Sequence, residues 1–348
     1  MNELLIFYLT NNDRYFVFDK FKNEFNKSKY KNKIKFLIIN SNKDSSYYEN
    51  NLKDTDINYE IVHVDCPQSN YLPKVKFAIE YAKLNNYKYI LKYDSDVLMP
   101  EYTLNFIYEN LNKLDDKNNL TIGPNLSTGI PSVEFFIDDF FQKEDAEQIR
   151  KEFKKCIFQI QPGIMDYRPL NKCSIDNLND WDGDYYYNNL NSYMDSFNAN
   201  DNGKTSDNYC KFYRGIHPIR HGFGNDLLND LIIKNKKMFF LDKPCSFSEN
   251  YSCKQLAAMC FVILTENYDK IMNLENLTID GCDEVPINRF AWNNNLKHLT
   301  VRNGYAIHIT YNWRWFLNEK DGGSNIDKPN ISLQEYEENF IKRLYDTN

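Results

Sequence analysis

The chain has 348 residues, with 49 acidic against 42 basic side chains for a formal net charge of −7, and 42% of it is hydrophobic. That is enough apolar material for a substantial core, in one large domain or two. The acidic balance excludes a global positive field of the kind that steers nucleic acid or an anionic membrane surface.

Residues 4–9 (LLIFYL) read as a first strand, since the run is too short for a signal sequence or a membrane span. The polar loop Thr10-Asn11-Asn12-Asp13 leads into a helix over about 14–25. Residues 34–39 (IKFLII) and 59–64 (YEIVHV) are further strands, the latter closed by Asp65-Cys66-Pro67. Val75, Ala78, Ile79 and Ala82 lie at helical spacing within 73–87. A brief β-prone run then begins at Tyr89 and ends in Asp94-Ser95-Asp96. Strands alternating with helices predict an α/β fold with a doubly wound sheet, whose strand ends form a nucleotide-sized crevice. No G-x-G-x-x-G and no P-loop is present, so a phosphate ligand must be held by metal and side chains.

On an extended backbone Asp94 and Asp96 project to one side while Ser95 points away. Paired carboxylates at a strand end suit Mg²⁺ or Mn²⁺, which takes its remaining oxygens from substrate phosphates, the alternative being a solvated acidic turn after a strand. Asp65 ends its strand on the same edge, either accepting hydrogen bonds from a base or ribose or as a plain turn aspartate, and Lys74 and Lys76 open the next helix, where a lysine counters a diphosphate or both are solvated surface charges.

A strand at 120–122 is followed by a mostly helical stretch over 134–158. Residues 171–207 are rich in Asn, Asp, Tyr and Ser and poor in aliphatic side chains, which reads as a long excursion. Its Trp181 and Tyr185–Tyr187 either stack on sugar or pin the loop to the body. Pro218 and nearby glycines argue against a helical metal site at His217 and His221. Residues 225–233 start a helix with Asn225 as N-cap. The eight cysteines (66, 156, 173, 210, 245, 253, 260 and 282) include no C-x-x-C pair, predicting reduced thiols and a cytoplasmic setting, with Cys260 and Cys282 as small buried side chains.

Residues 255–264 form a buried helix or strand. Asp283 is the N-cap of a short helix with Pro286 in its first turn and Ile287, Phe290 and Ala291 as its apolar stripe. Glu284 thus sits at the positive end of a helix dipole, which favours its ionised form by about 0.3–1 kcal/mol. Asn303-Gly304 predicts a hairpin turn. On the second strand of that hairpin His308 shares a face with Ala306 and Thr310, as a third metal ligand or as a structural histidine.

An Asp-x-Asp ending a central strand, followed downstream by an acidic pair opening a helix and then by a strand bearing histidine, resembles the GT-A glycosyltransferases. The likeness runs over roughly 4–310 and implies a GT-A-like α/β/α sandwich with a central, mostly parallel sheet and a large insertion. It implies a nucleotide-sugar-binding half over 1–125, an acceptor-binding half over 126–310 and a C-terminal tail or helix over 311–348. Asp94, Asp96 and His308 would hold Mn²⁺ or Mg²⁺, and Thr10, Asn11, Asp65, Lys76, Asp94 and Ser95 would bind the nucleoside-diphosphate sugar. The segment Asp283-Glu284-Val285-Pro286-Ile287-Asn288-Arg289-Phe290 is similar both to an element of ABO-type retaining transferases and to the acidic pair of inverting family-two-type enzymes. Either likeness singles out Glu284, with Asp283, as catalytic. The implied function is a metal-dependent transferase moving a sugar from a UDP- or GDP-sugar to a hydroxyl of a glycan, lipid-linked sugar or protein. A nucleotidyltransferase and a non-catalytic carbohydrate-binding protein are the alternatives. A transferase acting on modified viral DNA is a variant that the charge disfavours.

Overall fold

The computed structural model describes residues 3–12, 14–67, 70–127, 132–153, 223–248, 259–274, 283–309 and 332–346. Asp13, the excursion over 171–207 with its Trp181 and Tyr185–Tyr187, His217, His221 and Cys282 lie outside them. The chain divides into two compact units, residues 1–127 with 242–308, and residues 128–241 with 309–348.

The first unit is built on a sheet of strands β1 (Leu4–Thr10), β2 (Ile34–Asn40), β3 (Tyr59–His63), β4 (Tyr89–Asp94), β5 (Val97–Leu98), β6 (Asn119–Leu126), β7 (Ser246–Phe247), β8 (Cys260–Leu264) and β9 (Lys297–His308). Their order is β3-β2-β1-β4-β8-β6-β9-β5, with β7 pairing β9. β1 to β4, β6 and β9 run one way, and β5, β7 and β8 run against them. The mostly parallel α/β sheet expected from the sequence is therefore the fold. The carboxyl ends of β1, β2, β3 and β4 share one edge, where the chain topology reverses and ligands bind in open α/β sheets.

The central strands are apolar on both faces because both are covered. Leu4, Ile6 and Tyr8 of β1 pack with Phe18, Phe21 and Phe25 of α1 (Tyr15–Lys27) and with Tyr48 of α2 (Ser46–Leu52). Leu5, Phe7 and Leu9 pack on the opposite side with Val75, Ala78 and Ile79 of α3 (Leu72–Leu84), in one apolar cluster with Tyr268 and Ile287. α4 (Glu101–Glu109) joins the first layer.

Two expectations fail here for physical reasons. Residues 297–308 form one strand rather than a hairpin: Val301 stands opposite Pro124 and Tyr305 opposite Asn125, so residues 302–304 are a bulge in a strand that continues beside β6. Asn303 takes the left-handed conformation (φ 62°) that the dipeptide favours, without reversing the chain. The stretch expected to be mostly helical over 134–158 holds α5 (Ser132–Phe140) and α6 (Lys143–Phe153) in its described part. Asn225 lies inside α7 (Phe223–Lys234), whose pattern extends two residues further back than its polar start suggested.

The second unit also holds α8 (Lys237–Phe240) and α11 (Leu333–Tyr345); α9 (Thr265–Met272) and α10 (Glu284–Asn293) belong to the first. Buried Asp145 of α6 accepts hydrogen bonds from Lys234 Nζ (2.6 Å) and Asn235 Nδ2 (2.8 Å), and Asn229 of α7 bonds Tyr336 of α11 at 2.9 Å. Ser332 caps α11 by accepting from the Glu335 backbone N–H at 3.2 Å. The described cysteines Cys66, Cys245 and Cys260 are free thiols, Cys66 and Cys260 buried. Among the described residues, no helix is long and apolar enough to cross a membrane.

Candidate active site

Parallel pairing sets the site. Leu9 stands opposite Asp94, so the chain leaving β1 at Thr10 and Asn11 starts one strand away from the acidic triplet. Asp94 is the last residue of β4, but Ser95 and Asp96 form a turn into β5. Asp96 is therefore presented by a turn and not by strand alternation.

Each aspartate has its own surroundings. Asp94 keeps 26% of its side chain open, yet its Oδ1 is enclosed and makes no hydrogen bond, with Lys92 Nζ 3.6 Å away. Burial pushes the Asp94 carboxyl up to about 7, with Asp96 and Asp283 adding to the rise and Lys92 and His308 opposing it. Asp96 Oδ1 lies 3.4 Å from His308 Nε2, and its Oδ2 lies 3.8 Å from Arg14 Nη2. His308 is placed by its register with Val97 of β5 and by donation of its backbone N–H to Ser127 Oγ at 3.0 Å.

Below this point is a buried polar cluster that the sequence did not announce. Lys92, 1% exposed, points to the same side of β4 as Asp94 and reaches Asp283 Oδ1 at 3.0 Å. Tyr71 donates to the same oxygen at 2.6 Å, and Tyr268 of α9 donates to Asp283 Oδ2. Burial alone would lower the Lys92 ammonium, but the charges of Asp283 and Asp94 outweigh it, and the group is held well above the ordinary lysine range. Glu284 adds to that pull. Asp283, expected to cap α10 and to act with Glu284, is thus completely buried and its carboxylate is committed to a lysine and two tyrosines. Glu284, the first residue of α10, is only partly buried.

The remaining expected binding residues lie along the β1–β3 edge. A cleft of about 430 Å³ is lined by Asn11, Ser41, Asn42, Lys43, His63 and Asp65. Thr10 is buried, its hydroxyl bonded to Tyr48 (2.5 Å) and its carbonyl accepting from Lys74 Nζ (2.7 Å), so it shapes the loop from within. Lys74 also donates to Asn11 Oδ1 at 2.8 Å, while Lys76 is exposed on the outer side of α3. Helical spacing decides this: Lys74 falls on the stripe of Val75, Ala78 and Ile79, and Lys76 falls off it. Ser95 is buried beside the aspartates, at 8% exposure.

Among the described residues no group of three or more His, Cys, Asp or Glu side chains forms a ready-made metal centre. The residues nevertheless fit a hard divalent cation that draws further ligands from a substrate. An enclosed carboxylate oxygen without a hydrogen-bond donor, next to a second carboxylate and an imidazole, is the donor set such an ion takes.

No family model and no curated protein sequence matches the chain. Among solved structures it is similar to S. aureus TarS, residues 1–349, in complex with UDP-GlcNAc, at 12% identity and a TM-score of 0.30, over 37% of this chain and 35% of that one. It is also similar to the mannosyltransferase PcManGT from Pyrobaculum calidifontis in complex with GDP-Man and Mn²⁺, at 13% identity and a TM-score of 0.30, over 46% of this chain and 42% of that one. The chain spans less than half the length of either, and likenesses of this size carry no weight for function.

Proposed function

We propose that the chain is a metal-dependent glycosyltransferase that uses a nucleoside-diphosphate sugar, UDP- or GDP-linked, as donor and a hydroxyl group of a glycan, lipid-linked sugar or protein as acceptor. The observation that carries this reading is the enclosed, undonated Oδ1 of Asp94 at the carboxyl end of β4, one strand from the loop that lines the Asn11–Asp65 cleft. On this reading the cleft takes the nucleoside, with Asp65 accepting from base or ribose.

Asp94, Asp96 and His308 would hold Mn²⁺ or Mg²⁺, which when bound neutralises charge developing on the departing nucleoside diphosphate. Lys92 and Asp283 fix the floor beneath that point and keep α10 in place, so that Glu284 is presented at a helix start where the dipole favours its carboxylate. Glu284 takes the proton of the acceptor hydroxyl if the reaction inverts, or stabilises the oxocarbenium-like centre if it retains.

The test is incubation with a panel of UDP- and GDP-sugars and Mn²⁺, reading release of the nucleoside diphosphate. Release from at least one donor is expected. Binding of free sugars with every donor left intact would favour a non-catalytic binder. Pyrophosphate release from a nucleoside triphosphate and a sugar phosphate would favour a nucleotidyltransferase.

A further inference from the structure

Arg14 is a residue that neither the acidic pattern nor the lysines bring to notice. It precedes α1 with a left-handed backbone (φ 76°, ψ 44°), a conformation that costs a non-glycine residue energy and is kept only where the surroundings impose it. Its side chain is 92% covered, yet its guanidinium comes to 3.8 Å from Asp96 Oδ2, beyond hydrogen-bonding distance. An arginine is thus held against a carboxylate that a cation would claim, three residues after Asn11 at the cleft.

From this geometry we infer that Arg14 is a diphosphate-binding residue: its guanidinium stands against Asp96 in the free protein and turns to the donor's diphosphate when Asp96 is taken by the divalent cation. The inference rests on the transferase reading for the identity of the donor, and on the Arg14–Asp96 approach for its chemistry. The exchange keeps charges balanced. The carboxylate passes from arginine to cation, and the released guanidinium meets the phosphate oxygens that its planar fork suits.

The test compares wild type with Arg14→Met and Arg14→Lys, checking first that each melts cooperatively. Mn²⁺ alone is titrated by electron paramagnetic resonance, and UDP, GDP, pyrophosphate and the uncharged nucleosides by calorimetry in the presence of Mn²⁺. In Arg14→Met, Mn²⁺ affinity should hold or tighten, nucleoside binding should be unchanged, and diphosphate and pyrophosphate affinity should fall about 10- to 100-fold, the size of a lost charge-assisted contact. Arg14→Lys should fall between. If Arg14→Met binds UDP, GDP and pyrophosphate as tightly as wild type or more tightly, Arg14 is only a counter-ion of Asp96 and the inference is overturned. If wild type binds pyrophosphate but neither UDP nor GDP, and Arg14→Met loses the pyrophosphate, the Arg14 assignment stands and the sugar-donor reading falls.

Discussion

Lys92 Nζ lies 3.0 Å from Asp283 Oδ1, joining a central strand to the start of α10 across 191 positions of sequence, with both side chains shut off from solvent. A buried ion pair adds little when intact but costs much when halved, because the survivor is left as an uncompensated buried charge. Lys92→Met and Asp283→Leu are each expected to destabilise the protein by about 3–5 kcal/mol, while the double variant recovers most of that loss. Urea unfolding of the three variants checks this, and additive losses in the double variant would contradict it.

The pair also separates the two acids of the Asp283-Glu284 segment. Glu284→Gln is expected to lower turnover by about 10²- to 10⁴-fold with donor affinity and stability nearly unchanged, as for removal of a positioned base or charge stabiliser. Asp283→Asn should lose stability first. Steady-state kinetics set beside melting curves tell the two apart, and a fully active Glu284→Gln would move the reacting carboxylate elsewhere.

His298 gives a pH dependence outside the site. Its Nδ1 shares a hydrogen bond with Thr121 Oγ1 at 2.8 Å, its Nε2 is buried without a partner, and burial pushes the imidazole down to about 3. An unfolded histidine titrates near 6.5, so the folded value is depressed. The contribution is then present above about pH 6.5 and lost as pH falls toward 3, at up to about 1.4 kcal/mol per pH unit. Stability curves across that window should flatten in His298→Gln, and an unchanged slope would assign the acid sensitivity to other groups.

Gly304 closes the bulge in β9. A Cβ there would stand 2.5 Å from Val301 Cγ1, a buried side chain in the sheet. Gly304→Ala is expected to cost about 1–3 kcal/mol, as overpacking does. A variant as stable as wild type would mean that the bulge relaxes freely.

The sequence shows the sheet because its strands are short apolar runs at the right spacing, and it shows Asp94 because two acids interrupt such a run. Lys92 was hidden by the same logic. A lysine inside YILKYD reads as a solvated residue until Asp283, Tyr71 and Tyr268 arrive from distant segments to satisfy it. Asn303-Gly304 makes no hairpin because the dipeptide carries a turn preference while β6 and β7, far away in sequence, carry the reason to continue the strand. Lys74 outranks Lys76 for a reason that was legible, since Lys74 lies on the apolar stripe of its helix. Arg14 left no sequence signal, because its left-handed backbone and its approach to Asp96 exist only in the folded chain.

On the proposed reading Asp94 and Asp96 bind the donor through a divalent cation. This is tested most directly by titrating the UDP- or GDP-sugar that wild type turns over into wild type, Asp94→Ala and Asp96→Ala, with Mn²⁺ and with chelator. Both residues end a strand or lie in a turn, so both variants should keep the wild-type circular dichroism spectrum. Donor binding is expected to require Mn²⁺ in wild type and to be lost in both variants. Binding of equal strength in either variant, or in chelator, would contradict it.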